Sequence, residues 1–243
     1  GRIYRLRGAD ADVAVALPHP DDLPGWLERL GSPIRWQRQM ALRRVVELAD
    51  RTTPQRLIEL TVSTEEDVAL GALWALAQLG QLDAALAGQL LGHPLASVRE
   101  WTVRLVGERG GLSPAAAAQL VELAGRETDA AVRVQLAATA RQLSVEQALA
   151  LLQPLVAAPA AAADNRLPLM LWWAIETQIS QDPAAVVQWW NDAIGWDSPL
   201  VRRELGERMM RRFAAAGTRR DLLTCAALLQ AAPDREAAEC LLR

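Results

Sequence analysis

The first residue here that could do chemistry is a carboxylate in apolar surroundings. Glu176 closes the run Leu169-Met170-Leu171-Trp172-Trp173-Ala174-Ile175. A carboxyl at the edge of an apolar face can hold its proton to higher pH and act as a general acid. That work needs a second acid, a nucleophile or a histidine, and none accompanies Glu176 in sequence. Pairing with an arginine of the next helical unit explains the residue better, because a buried charge needs a partner. His19 and His93 each precede a proline, which places them in loops, and two isolated histidines make no metal cluster. Cys225 and Cys240 read as core thiols, or as a disulfide in an oxidising compartment. The chain has no Cys-x-x-Cys-His, no Gly-x-Ser-x-Gly and no Gly-x-Gly-x-x-Gly. All 26 cationic residues are arginine, so Schiff-base and phosphate-loop lysines are excluded. No catalytic, cofactor-binding or metal residue is assigned.

What remains is a pattern. Ile34, Val68, Val98, Val132, Leu167 and Val201 share one position in six helical segments, spaced 34, 30, 34, 35 and 34 residues apart. An arginine follows at Arg35, Arg99, Arg133 and Arg202. A period in this range marks a stack of helical hairpins. The arginines could form a guanidinium ladder for an acidic partner. The structural alternative is pairing with loop carboxylates of the same or the next unit, and Asp129, Asp164 and Asp197 stand where such partners belong. Arginine bonds carboxylates through a rigid two-pronged fork.

Nine of the eleven aromatic residues are tryptophan. Trp172-Trp173 and Trp189-Trp190 are adjacent pairs, and neighbours on a helix point about 100° apart. One of each pair is therefore expected in the core and the other at a boundary. Trp36, Trp74 and Trp101 fall on successive inner helices and could form a stripe. Trp36, Trp74, Trp101, Trp173 and Trp190 are the candidate interface residues.

These residues must be positioned by helices. Residues 2–7 alternate as Arg-Ile-Tyr-Arg-Leu-Arg, which is strand-like. Residues 1–8 read as the tail strand of a preceding β domain, and 9–31, rich in proline and glycine, as a connector. From residue 32 to 243 the pattern is helical. Ser32-Pro33, Thr53-Pro54, Ser113-Pro114, Asp182-Pro183 and Ser198-Pro199 read as helix starts, and Ser144 with Gln147 as a capping box. Ile34, Met40, Ala41, Val45 and Leu48 supply the first apolar face. The fold expected is all-α: a right-handed α-solenoid of about six helical hairpins after a short N-terminal strand remnant. A net charge of −3 gives no basic footprint for nucleic acid. No apolar run approaches the roughly 20 residues that span a membrane. The chain opens without methionine and reads as part of a longer protein.

The units Asp129-Ala-Ala-Val132-Arg133 and Ser97-Val98-Arg99 resemble the HEAT-like repeats of the phycocyanobilin lyase group. A lyase activity by that analogy would rest on fold alone. The whole order is similar to a second family. It runs from Gly-Arg-Ile-Tyr-Arg-Leu-Arg through Trp36-Gln37-Arg38, Ala72-Leu73-Trp74-Ala75-Leu76 and Val98-Arg99-Glu100-Trp101 to Asp164-x-x-Leu-Pro-Leu-Met-Leu-Trp-Trp-Ala-Ile-Glu176. It resembles the predicted membrane-bound dehydrogenases, large exported bacterial proteins that join a sugar-dehydrogenase-like propeller, HEAT-like repeats and a haem-binding cytochrome c module. The resemblance implies a periplasmic or otherwise exported scaffold between flanking modules. Haem would sit in a neighbouring module and none in this segment. Its partners would be flanking domains of the same chain or another protein. A free-standing HEAT-repeat module that binds a protein or peptide in its groove is the alternative.

Overall fold

A computed structural model describes residue 20 and residues 22–108, 112–158, 164–194, 196 and 198–242. Among them are helices and turns and no strand. The expected strand at 1–8 lies outside the described residues, as do His19 and Asp197. The helices are α1 (Leu23–Glu28), α2 (Arg35–Glu47), α3 (Thr53–Thr61), α4 (Glu66–Gln78), α5 (Ala84–Leu90), α6 (Ala96–Glu108) and α7 (Pro114–Arg126). They continue as α8 (Ala130–Ala140), α9 (Val145–Ala157), α10 (Leu167–Gln181), α11 (Pro183–Ala193), α12 (Gly206–Ala216), α13 (Arg219–Gln230) and α14 (Arg235–Leu241). One π-helical turn, Val201–Leu205, leads into α12.

The even-numbered helices contact one another in succession. α2 packs on α4, α4 on α6, α6 on α8 and α8 on α10; α10 then meets the π turn, and α12 meets α14. The odd-numbered helices flank this row, with α5, α7, α9 and α11 also touching in order. Close approach within the row needs small residues. Gly107 of α6 lies against Thr139 of α8, where an added Cβ would stand 2.5 Å from the threonine methyl. The core divides into two clusters at α6. Val98 and Val106 belong to the N-terminal cluster and Val103 to the C-terminal one, so adjoining sectors of one helix serve both.

Short polar side chains set most helix starts. Asp83 accepts the Leu86 amide at 2.8 Å, Ser113 that of Ala116 at 3.2 Å, and Asp182 those of Ala184 and Ala185 at 3.1 Å. Each satisfies a donor that has no partner inside its helix. Gly80, at φ 69°, stops α4: Gln81 N–H returns to the Leu76 carbonyl at 2.8 Å, a closure that the left-handed backbone permits.

Two expected starts and one capping box differ. α2 begins at Arg35, and Ser32 Oγ bonds Ile34 N–H and Gln37 Oε1 before the helix proper. Ser198 donates its hydroxyl to the Val156 carbonyl instead of capping. Ser144 does cap α9 by accepting the Gln147 amide. The Gln147 side chain, however, donates to the Leu112 carbonyl at 3.0 Å, so the reciprocal half of that capping box is replaced by a tie to the preceding unit.

The first unit is also out of the expected register. Ile34 is 41% exposed, whereas Gln37 is 5% exposed. Met40 and Leu48, expected on the apolar face, are exposed too, while Ala41 and Val45 are fully buried. The shared position is therefore Gln37, and the arginine that follows it is Arg38 rather than Arg35.

Candidate functional site

Three arginines identify that position by one local bond. Arg38 Nη1 donates to the Ser32 carbonyl at 2.7 Å, Arg99 Nη1 to that of His93 at 2.8 Å, and Arg202 Nε to that of Trp196 at 2.6 Å. In each case the acceptor lies six residues upstream. The arginine thus ties its own helix to the loop that leads into it. The rest of each guanidinium reaches forward to a carboxylate of the next unit. Arg38 meets Asp67 at 3.2 Å, Arg99 meets Glu127, and Arg202 meets Asp234 at 3.0 Å and Glu236 at 3.5 Å.

The Arg99–Glu127 rung is the most complete. Nε and Nη2 meet the two carboxylate oxygens at 2.7 and 2.8 Å, the paired geometry that gives such contacts their strength. Glu127 Oε1 also accepts the Thr128 and Asp129 amides at 3.0 and 2.9 Å. Burial pushes the Glu127 carboxyl up, but Arg99 and these amides outweigh it and hold the group below the usual carboxylate range. Arg99 is held above its own ordinary value, chiefly by the hydrogen bond to Glu127.

The expected carboxylates serve otherwise. Asp129 accepts the Ala131 and Val132 amides at the start of α8. Asp164 accepts the Arg166 and Leu167 amides, both at 2.7 Å, at the start of α10. A short aspartate beside a helix start satisfies its own backbone first, whereas the longer Glu127 reaches back to the arginine. Arg133 is only 5% exposed, and its Nη2 has no hydrogen-bond partner. Asp164 lies near enough to feel its charge, although the Leu167 amide is the larger cause of the lowered Asp164 pKa. Among the described residues, Arg133 closes no rung to a carboxylate.

Glu176 meets Arg212 of α12 at 3.7 Å, and both are partly exposed. The next-unit arginine predicted for it is present, without deep burial. His93 is buried; its Nδ1 accepts the Leu95 amide at 3.1 Å, and Nε2 faces the Thr61 carbonyl without closing a hydrogen bond of ordinary geometry. Cys225 and Cys240 are free buried thiols. Cys240 Sγ–H points at the Val201 and Arg202 carbonyls of the π turn.

The tryptophans separate clearly. Trp172 is buried and Trp173 is 43% exposed. Trp189 and Trp190 are both buried, because α11 contacts α9 as well as α10 and has apolar neighbours on two sides. Trp190 is therefore a core residue with Trp196 edge-on at 6.4 Å, and not an interface candidate. Trp74 and Trp101 meet edge-to-face at 5.0 Å, with the Arg104 guanidinium 4.9 Å over Trp101. Trp36 is 52% exposed and makes no ring contact among the described residues, so the stripe is realised only from α4 to α6.

Two depressions open beside these residues. One, of about 150 Å³ between α2 and α4, is lined by Leu30, Arg35, Arg38, Gln39, Leu42, Asp67, Gly71 and Trp74. The other, of about 530 Å³ between α10 and α12, holds Trp172, Glu176 and a run of arginines and glutamates, including Arg203, Glu207 and Arg211. Arg38, Asp67, Glu127 and Asp234 were not anticipated from sequence. No helix of the described residues is long and apolar enough to cross a membrane. No family model matches the chain, and no curated protein matches it.

Proposed function

We propose that this chain is a non-catalytic scaffold, a right-handed solenoid of HEAT-like hairpins within a larger exported redox protein. It sets the distance and orientation of a sugar-dehydrogenase-like propeller and a haem-binding cytochrome c module through protein–protein contacts. The observation that carries this reading is the pairing of two features on the even-numbered helices. Arginine rungs fasten helix to next loop, which keeps the row stiff, while Trp36 and Trp173 stand exposed on that same row. Exposed tryptophan on a stiff surface suits a contact face better than a solvated one.

The test is to read the coding sequence on both sides of this segment. A propeller-coding region upstream and a Cys-x-x-Cys-His downstream are expected. An initiator codon directly before Gly1 together with a stop directly after Arg243 would overturn the redox setting and leave a free-standing helical-repeat module that binds a protein or peptide.

A further inference from the structure

Of the arginines that follow the shared buried position, Arg38, Arg99 and Arg202 are each answered by a loop carbonyl and a carboxylate. Arg133 is not. It is buried, and its Nη2 has no hydrogen-bond partner. Among the described residues it also lacks the tie to the carbonyl six residues upstream that holds the other three. A guanidinium left unanswered away from water is costly. The seam between α8 and α10 therefore carries an uncompensated donor.

An acceptor stands across that seam. Asp164 gives one oxygen, Oδ1, to the Arg166 and Leu167 amides at the start of α10, and among the described residues no hydrogen bond engages Oδ2. Its carboxyl already responds to the charges of Arg133 and of exposed Arg166. The last seam shows what such a pair does when it closes. Arg202 follows Val201 as Arg133 follows Val132, and Asp234 precedes buried Ala237 by three residues, as Asp164 precedes Leu167. There Asp234 Oδ1 accepts the Ala237 amide at 2.7 Å and caps α14, while Oδ2 receives Arg202 Nη2 at 3.0 Å. One aspartate caps a helix and answers an arginine at once, in the register that Asp164 and Arg133 share.

We infer that the seam between α8 and α10 is a latch with two states. In the open state, seen here, Asp164 caps α10 and Arg133 is unanswered. In the closed state the cap is kept, and Asp164 Oδ2 takes Arg133 Nη2 as Asp234 takes Arg202. Closing fastens the loop that enters α10 onto α8, so the latch sets whether the two halves of the row move as one body. It belongs to the chain alone and does not rest on the scaffold reading, which stands or falls separately.

The test is relaxation-dispersion NMR on the isotope-labelled full chain, following the arginine Nε–Hε signals and the backbone amides. Rearrangement of packed elements falls in the microsecond-to-millisecond range that this measurement reads. The Arg133 signal is identified by its loss in Arg133→Met. Wild type is expected to show exchange at Arg133 and at the Arg166 and Leu167 amides, all at a common rate. Asp164→Asn keeps a capping oxygen and removes the charge, and should abolish the exchange at Arg133. Arg133→Met should abolish it at the two amides. Flat profiles in wild type, unrelated rates at the two places, or exchange at Arg133 that survives Asp164→Asn would overturn the latch. The wild-type profiles alone can refute it, so the outcome does not hang on either variant folding.

Discussion

At the scale of single residues, the molecule's polar chemistry is spent on holding helices to loops. Glu127→Gln leaves Arg99 with one arm unanswered in a partly buried site, and should lower unfolding free energy by about 1–3 kcal/mol in urea. The Glu127 carboxyl is depressed in the folded state. Its contribution is therefore present above the unfolded value of about 4.3 and lost as pH falls through the lower folded value. Wild type and variant should converge in strongly acidic buffer. His93 has the opposite chemistry and the same pH sign. Burial holds it below its ordinary value, and Nδ1 accepts a backbone N–H that a protonated ring could not receive. Protonation favours the unfolded chain, so stability should decline as pH falls below about 6.5. His93→Gln should flatten the slope between there and about pH 5, as read by denaturation at a series of pH values. Sequence made the arginines legible because they repeat. It did not disclose their partners, since an aspartate next to a helix start and a glutamate two residues earlier look alike until capping geometry claims one of them. Gln37 was hidden for a related reason: it is polar, and its amide oxygen is satisfied by Ser32, so the apolar pattern points to Ile34.

At the scale of elements, the close approaches decide what can change. Gly107→Ala would press a methyl onto Thr139 and push α6 from α8, and should cost about 1–3 kcal/mol, as overpacking does. Thr139→Ser, which removes the obstructing methyl, should recover part of that loss in the double variant. Gly217 ends α12 at φ 66° with no side chain within ordinary contact. Gly217→Ala should cost about 1 kcal/mol through backbone strain alone, which thermal unfolding can check. Most helices were readable from their periodicity and capping residues. The π turn at Val201–Leu205 was not. It depends on tertiary partners: Gly206, where a Cβ would stand 3.1 Å from the Val201 carbonyl, and Cys240, which offers its thiol to the carbonyls of the turn. The second half of the capping box at α9 escaped for the same reason, because the Gln147 side chain bonds the Leu112 carbonyl of the preceding unit.

At the scale of the molecule, the row of even-numbered helices is a surface held from behind by two core clusters and laced by arginine rungs. Its aromatic residues divide into those that fill seams, such as Trp172, and those left in the open, such as Trp36 and Trp173. The adjacent pair at 172–173 was readable from helical geometry, whereas the pair at 189–190 was not, because a helix with two packed neighbours can bury both. Trp36→Ala and Trp173→Ala should each shift stability by less than about 0.5 kcal/mol, as surface changes do, while weakening attachment to whatever the row holds. The central claim is that this row is the docking face. Hydrogen exchange, compared between this chain alone and this chain mixed with the flanking modules proposed for it, tests that claim most directly. The account predicts added protection in the mixture over peptides from α2, α4, α6 and α10. Identical exchange along the whole chain, or protection confined to α3, α7 and α11, would contradict it.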